Sequence, residues 1–532
     1  MENRTLMLVQ LSLALSVAYA VISLIRFSLK SRRPKNYPPG PPALPFIGNT
    51  HQFASSKPSL KFTELQKTYG DLLGLKAGPG NLVVVNSAKL FRELFDKRWS
   101  AYSGRPCGYI PKEYILRGAQ HWIFLPHDGY FRQARTAIRY LLSPGGCELV
   151  RPVQEAAASY LAHSIVEEPA RFQDHLRAWS VATPLVAICG YRSPHNDPQL
   201  IKWFFENQHE WLQLLTPGIA PPVDMFPILK YVPGFLASWK RKARSFHEEQ
   251  KGFYTIMLQC ANEQKTRIET KHDTSMYESL MTKLLRDRAD GKTEFTDSQL
   301  MYNAGSLLDA AVDTTHSAVL TLVKVFAAYP EVFKRVQAEI DGICESGGPP
   351  EPRRFAELKY LKACYLEVLR WRPPTATTLQ HETDEDDTLD GYFIPKGTVV
   401  LGNAWAVQHD PEMYDSPEDF NPDRFIRNHY GTKGSAEEAQ TESRKQLYCF
   451  GTGRRQCPGD VFAQTSIMIA IVKLVWAFDI VAEEKIDLSM ETGFYGGLVM
   501  GSEPFKARFT PRSEKVVQRI SEDFEISKTL LE

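Results

Sequence analysis

The chain contains 532 residues, of which 43% are hydrophobic and 23% are charged, and its formal net charge is +1. This composition is typical of a globular protein with ample core material, and the balanced charge gives no sign of the concentrated basic surface that a nucleic-acid partner requires. The eight cysteines are scattered, with neither a CxxC pair nor a zinc-like cluster. We therefore expect reduced thiols, and neither a disulfide framework nor a structural zinc.

The first predicted element is a membrane anchor formed by residues 1–28. Residues 6–25 are a hydrophobic run about as long as a helix that crosses a bilayer core. Only Arg4 and the free amine precede this run, whereas five basic residues follow it: Arg26, Lys30, Arg32, Arg33 and Lys35. This asymmetry predicts a single-pass helix with the rest of the chain in the cytosol. A cleaved signal peptide is the alternative, but no small-x-small site follows the run and the positive charge lies on the wrong side.

Residues 29–45 are predicted to be a basic, proline-rich spacer. Residues 38–42 read Pro-Pro-Gly-Pro-Pro, and consecutive prolines favour a stiff extended segment because they cannot continue a helix. We expect this segment to separate the anchor from the globular body. A proline-rich ligand for a partner domain is the alternative interpretation.

Residues 46–532 are predicted to form one domain, mainly α with small β-sheets. Apolar residues recur at three- and four-residue spacing over 154–167, 245–263 and 297–328. Two short strand-like pieces occupy residues 82–86 and 398–401, and residues 392–398 carry the turn signals of a hairpin leading into the second strand. The polar stretch 427–444 indicates a solvated surface connection.

Residues 216–233 are apolar and interrupted by prolines, so we do not expect one continuous core helix there. Exposed apolar side chains in such a segment could dip into a bilayer and open a route for a lipophilic substrate. An ordinary loop packed on the body is the competing interpretation.

The predicted helix 297–328 carries an acid and a hydroxyl, Asp313 and Thr314, near its middle. Thr296 and Gln299 form a capping-box start, and Pro330 marks the end. Ala310 and Ala311 precede Thr314 by four and three residues, so small side chains share its face and leave room beside it. This arrangement suits proton delivery to dioxygen, although the same residues could simply weaken a helix at its middle.

Glu367 and Arg370 lie three residues apart and therefore on one helix face. Such a pair is usually solvated and contributes little stability. Here the flanking positions are apolar and Pro373 soon ends the helix, so the pair is placed near a buried boundary.

The most informative segment is residues 450–459, which begin with Phe450 and Gly451 and include Arg455 and Cys457. Glycines let the backbone fold closely around a sulfur, so that amide N–H groups can point at it, and an arginine two residues away adds a fixed positive charge. The segment resembles the haem-thiolate loop of the cytochrome P450 family, Phe-x-x-Gly-x-Arg-x-Cys-x-Gly, with every specified position filled. A Gly-rich surface loop with an incidental cysteine is the alternative.

The resemblance implies the cytochrome P450 fold after residue 45 and assigns a role to each matching residue. Cys457 becomes the axial ligand of haem iron (heme b), and Asp313 and Thr314 become the acid and the hydroxyl that deliver protons. Ala311 replaces the usual glycine of that motif. The other implied roles are a buried charge network of Glu367, Arg370 and Arg424, and haem-propionate contacts by Arg455, Arg135 and His381. Phe131 stands where the family usually has tryptophan.

The resemblance is greatest with membrane-anchored fungal members of secondary metabolism. It implies a monooxygenase that hydroxylates or epoxidises a lipophilic small molecule with dioxygen. Electrons would come from NADPH through a separate NADPH–cytochrome P450 reductase. It further implies a monomer in the endoplasmic reticulum membrane, with no nucleic-acid partner. Two alternatives remain: a haem-thiolate isomerase, dehydratase or peroxygenase that needs no external electrons, and a non-catalytic haem-binding sensor.

Overall fold

The computed structural model describes residues 2–53, 55–192, 197–215, 221–271, 277–344, 348–441 and 444–531. Helices dominate this part of the chain. They are α1 Glu2–Lys30, α2 Thr50–Phe53, α3 Pro58–Tyr69, α4 Ala88–Phe91, α5 Gly129–Ala137, α6 Arg139–Leu142, α7 Pro144–Glu167, α8 Phe172–Cys189, α9 Pro198–Leu215, α10 Ser238–Lys271, α11 Leu280–Ala289, α12 Asp297–Ala328, α13 Pro330–Asp341, α14 Lys359–Trp371, α15 Ala404–Gln408, α16 Asp423–Arg427, α17 Ala436–Thr441, α18 Asp460–Ala477 and α19 Glu514–Leu531.

The strands form small sheets at the edge of the helical body. They are β1 Leu72–Ala77, β2 Gly80–Val85, β3 His381–Glu382, β4 Asp387–Leu389, β5 Tyr392–Ile394, β6 Val399–Gly402, β7 Phe478–Ala482, β8 Phe494–Tyr495, β9 Gly501–Ser502 and β10 Ala507–Pro511. The largest sheet has the order β1-β2-β6-β3, and the other strands pair as β10-β7, β4-β5 and β8-β9. The prediction of a mainly α protein with small sheets is confirmed.

The expected hairpin into the strand near residue 398 is wrong. β5 pairs with β4 instead, and β6 pairs with β2 in parallel and with β3. Asp390 and Gly391 both have positive φ, 49° and 83°, which is the backbone that a two-residue hairpin turn requires. The hairpin therefore closes before β5, and Gly397 at φ 74° turns the chain away from it.

The apolar N-terminal run lies in α1, where the stretch Gln10–Lys30 is long and apolar enough to cross a membrane, with a mean hydropathy of 1.8. α18 passes the same test of length and composition, but most of it is buried in the protein. α18 is therefore a core helix, whereas α1 suits an anchor.

The proline-rich segment packs on β1 instead of standing apart from the body. Arg33 donates to the carbonyl oxygens of Pro38 and Gly74 at 2.5 and 2.6 Å, and Gly74 N–H donates to Pro39 O at 2.7 Å. A Cβ on Gly74 would lie 2.4 Å from Pro38 O, so only glycine permits this approach. Lys76 Nζ donates to the carbonyl of Lys30, which joins the end of α1 to the sheet.

Between α9 and α10, the described residues contain only a short 3-10 turn, Pro227–Tyr231. The expectation that no continuous helix fills this region is confirmed there, while residues 216–220 lie outside the described part. Four large side chains in this region are 68–82% exposed: Ile228, Tyr231, Phe235 and Leu236. Phe226 stacks on Phe27 of α1 at 5.6 Å between ring centroids, so the exposed segment lies beside the end of the anchor.

The main core lies where α12, α14 and α18 meet; α12 carries Asp313 and Thr314, α14 carries Glu367 and Arg370, and Cys457 precedes α18. All eight cysteines fall within the described residues, and all are free thiols.

Candidate active site

Cys457 lies in a loop that two glycines shape. Gly451 and Gly453 have φ of +69° and +65°, and a Cβ on Gly453 would lie 2.0 Å from Phe95 O. Both positions therefore need glycine. The Cys457 N–H donates to Phe450 O at 2.8 Å, which closes the loop just before α18 begins.

The Cys457 residue is exposed, yet burial raises the pKa of its thiol. Cys457 therefore keeps accessible surface although many protein atoms surround its sulfur. The Gly459 N–H donates to Sγ at 3.4 Å, and this bond and the Arg135 charge lower the pKa in part. The expectation that Arg455 supplies this charge is wrong, because the Arg455 side chain is directed to carbonyl groups elsewhere.

Three arginines and a histidine gather beside the loop. Arg455 donates to Ser103 O and Leu125 O at 2.8 and 2.7 Å, and its guanidinium lies 4.1 Å from the ring centroid of Phe131. The phenyl ring at the family's tryptophan position thus offers a cation–π contact to Arg455 instead of an N–H donor. Arg135 donates to Gln456 O at 2.8 Å.

Arg105 and His381 complete this cluster of three arginines and one histidine. Arg105 donates to Leu379 O and Gln380 O at 2.8 and 2.6 Å. His381 Nδ1 lies 2.7 Å from Tyr102 O, so Nδ1 carries the proton. The sequence analysis missed Arg105, because no local motif marks it.

The positive charges of these groups lower one another's pKa, so the groups lie close together. Burial and then Arg455 lower the pKa of Arg105 to about 9, and burial and then Arg135 lower the pKa of Arg455 to about 10. Burial, followed by Arg105, holds the pKa of His381 well below its usual value. Within the described ranges, the hydrogen bonds of Arg105, Arg135 and Arg455 go to backbone carbonyls, while Asp128 and Asp384 attract Arg455 and Asp460 attracts Arg135 from a distance. A group with two carboxylates beside the Cys457 sulfur, as haem has, fits this donor set and its charge.

α12 exposes small and polar residues in its otherwise buried middle. Ala310 is exposed and Thr314 half-buried, whereas Thr315 is 8% exposed. Thr314 Oγ1 donates to Ala310 O at 2.8 Å, which leaves its lone pairs free to accept a proton-bearing partner. Burial, followed by the negative charge of Asp309, raises the pKa of Asp313 to about 7.

The structure brings Glu367, Arg370 and Arg424 together, all of them fully buried. Glu367 accepts from Arg370 Nε and Nη2, both at 2.8 Å, and from Arg424 Nε at 3.0 Å. The Asn421 N–H is a fourth donor at 2.9 Å. One carboxylate therefore compensates two buried guanidinium groups.

Gln408 connects this network to the cysteine loop. Its Nε2 donates to Leu369 O and Arg370 O, the free carbonyls at the end of α14. Its Oε1 accepts from the N–H groups of Tyr448 and Cys449 at 2.7 and 3.0 Å. The fully buried Gln408 side chain thus positions the start of the loop, a role that no sequence motif indicated.

Comparison with known proteins agrees with this site. The family model for cytochrome P450 matches residues 38–509, so the chain belongs to the cytochrome P450 family. Cytochrome P450 monooxygenases of Armillaria gallica and Arthrobotrys oligospora are 33% and 31% identical to it, with 96% of both chains covered. The monooxygenase yanC of Aspergillus niger is 30% identical with the same coverage.

A zebrafish cytochrome P450, solved in a structure with progesterone, shares the fold with a TM-score of 0.70 at 24% identity. The match covers 86% of this chain and 99% of the zebrafish chain. The near full-length similarity to the fungal enzymes makes the protein a cytochrome P450 monooxygenase, and this family uses a thiolate-ligated haem.

Proposed function

We propose that this protein is a membrane-anchored monooxygenase of fungal secondary metabolism. It oxidises a lipophilic small molecule and receives electrons from a separate NADPH–cytochrome P450 reductase. The observation that carries the proposal is the Cys457 loop, in which Cys457 is accessible and lies next to arginines whose hydrogen bonds go to backbone carbonyls. Curated relatives from fungi share nearly the whole chain.

Cys457 would ligate the iron of heme b, while Arg105, Arg135 and Arg455 would receive the two propionates. His381 would join them with Nε2 protonated as well, because Nδ1 already donates to Tyr102 O. When bound, the haem supplies oxidation chemistry with dioxygen, since thiolate ligation favours cleavage of the O–O bond. Phe450 and Gly451 hold the loop backbone in place. The network of Glu367, Arg370 and Arg424 supports the same loop through Gln408.

Asp313 would donate protons, and Thr314 would orient a water, on the accessible face of α12 beside Ala310. A carboxyl group with a pKa of about 7 carries a proton in a substantial fraction of molecules near neutral pH, as a general acid requires. The Thr314 hydroxyl can orient a water beside Ala310, because the small side chain leaves space there. These two residues favour an oxygen-consuming reaction over an isomerase, a peroxygenase or a sensor.

The membrane face would consist of α1 and the exposed apolar residues at 228–236. Phe27 stacks on both Phe46 and Phe226, so anchor and segment meet at one side of the body. The basic residues after the apolar run favour a cytosolic body on the endoplasmic reticulum membrane. A lipophilic substrate could then enter from the bilayer.

The reductase would dock on the basic surface outside the Cys457 loop. Arg454 is exposed and lies 4.6 Å from the ring centroid of Trp99. Arg132 is also exposed, and the positive charges of Arg132 and Arg454 both lower the pKa of His127. An acidic partner would be steered to such a surface, and salt would weaken the steering.

The test uses full-length protein in membranes with co-expressed reductase, NADPH and labelled dioxygen. We expect a lipophilic product that contains one labelled oxygen atom, lost without NADPH or reductase and lost in Cys457→Ala. Turnover that continues without NADPH and reductase would contradict the proposal and favour the isomerase or peroxygenase alternative.

A further inference from the structure

A second carboxylate is buried one helical turn before Asp313. Asp309 lies on α12, and its side chain is only 8% exposed. Residues four apart share a helix face, with Cβ atoms about 5–6 Å from each other. Asp309 and Asp313 therefore act on each other at close range inside the protein.

Two donors from other parts of the chain contact the Asp309 carboxylate. The Tyr254 hydroxyl, on α10, donates to Oδ2 at 2.7 Å, and His121 Nε2 lies 3.5 Å from the same oxygen. His121 Nδ1 accepts from the Ile123 N–H at 3.3 Å, so the proton of the neutral ring is on Nε2 and points to Asp309.

The fold makes room for this arrangement. Gly305 lies one turn before Asp309, and a Cβ there would be 2.1 Å from the Tyr254 ring. Only glycine lets the ring lie on α12 with its hydroxyl on Asp309. Burial, followed by Asp309, holds the pKa of Tyr254 well above its usual value, so Tyr254 remains a donor at neutral pH.

We propose that Asp309 is a positioning residue for proton delivery. Its fixed negative charge, held by Tyr254 and His121, keeps a proton on Asp313 around neutral pH. The proposal rests on the function proposed above for Asp313 and Thr314. Asp309 acts on Asp313 through its charge alone and transfers no proton itself.

The other groups near Asp313 do not supply such a charge. Tyr495 on β8 faces it, and burial together with Asp313 raises the pKa of this phenol to about 12, so it is neutral. The positive charge of Arg177 on α8 lowers the pKa of Tyr495, and the negative charge of Glu503 raises it. Burial is the larger cause of the raised pKa of Asp313, and Asp309 is the other cause.

Asp309→Asn is a conservative test. Oδ2 accepts both hydrogen bonds, and in the part of the chain that the structure describes no donor reaches Oδ1. An asparagine can therefore keep both bonds on its carbonyl oxygen and place its amide nitrogen at the Oδ1 position. The charge is removed while the contacts remain.

The primary measurement is an infrared titration of the protonated Asp313 carboxyl band, identified by its loss in Asp313→Asn. In the wild type we expect a midpoint near 7. In Asp309→Asn the midpoint should fall by about one pH unit, because burial, the larger cause, accounts for more than half of the rise from 3.8 to about 7. Asp297→Asn is the control, because this exposed residue lies about 24 Å away along α12.

The amount of product formed per NADPH oxidised, which is the coupling, is measured over the same pH range as the infrared titration. We expect coupling to decline as Asp313 loses its proton, near pH 7 in the wild type and about one unit lower in Asp309→Asn. An unchanged infrared midpoint in Asp309→Asn, or an equal shift in Asp297→Asn, overturns the role of Asp309 while Asp313 can still be the donor. Unchanged coupling in Asp313→Asn instead overturns the proposed proton function, whatever the infrared midpoint shows.

Discussion

Glu367→Gln perturbs the buried charge network with almost no change in side-chain shape. The carboxylate accepts four hydrogen bonds, three from arginines and one from the Asn421 N–H. A glutamine loses the charge and places an NH₂ group against a donor. Two fully buried guanidinium groups then lack a counter-charge.

Removing one partner of a buried ion pair costs about 3–5 kcal/mol. We expect the upper end here, because one carboxylate serves two arginines. Stability of a folded domain is about 5–15 kcal/mol, so this loss is a large part of the total. The matched control is Asp423→Asn, since its pair with Arg335 at 2.8 Å is about half exposed on both sides and should contribute at most about 1 kcal/mol.

The assay is urea unfolding followed by tryptophan fluorescence, read beside the amount of thiolate-ligated haem. Trp371 reports on this region because its Nε1 donates to Glu418 O. Arg370 also donates to Gln408 O, so loss of the network should release haem before global unfolding. A loss in Glu367→Gln no greater than that in Asp423→Asn would refute the reasoning.

Three further predictions follow from the site. Thr314→Ala should keep haem and divert electrons to hydrogen peroxide, with product falling by about 10²–10⁴-fold; Thr315→Ala, rotated about 100° on the helix, is the mild control, and full coupling in Thr314→Ala would contradict the assignment. Removing residues 1–28 should release most of the protein from membranes with haem retained, because Lys30 and Arg33 contacts remain; haem loss would show that the body depends on the anchor. Asp313→Asn should flatten the pH dependence of the free energy of unfolding between about pH 4 and 7. The raised pKa means that the folded state binds more protons there, so wild-type stability falls as pH rises, by at most about 4 kcal/mol. Denaturant titrations at pH 5 and 8 measure how the free energy of unfolding changes with pH. An equal change in the wild type and in Asp313→Asn would argue against a raised pKa of Asp313.

The sequence predicted local features well where one short segment contains the whole signal. The bounds of α12 were given by Thr296, Gln299 and Pro330, and the structure contains the complete capping box. The Cys457 loop was recognisable because its glycines and arginine are adjacent in sequence.

Features that depend on contacts between distant segments could not be predicted. Arg105, Gln408 and Asp309 each act through partners far away in the chain, and no local spacing marks them. The misplaced hairpin has the same origin, because turn signals on both sides of β5 are compatible with either partner. The expected charge of Arg455 on the Cys457 sulfur was wrong because the direction of its side chain depends on Ser103 and Leu125, while its contact with a propionate stays a prediction.

The reduced carbon monoxide difference spectrum tests the central claim most directly, since it reports thiolate ligation of haem iron. Cys457→Ala is compared with Cys449→Ala, a cysteine in the same segment whose thiol has its pKa raised by burial. We predict that the thiolate-type spectrum disappears in Cys457→Ala and persists in Cys449→Ala. A thiolate-type spectrum that persists in Cys457→Ala would contradict the assignment of the site.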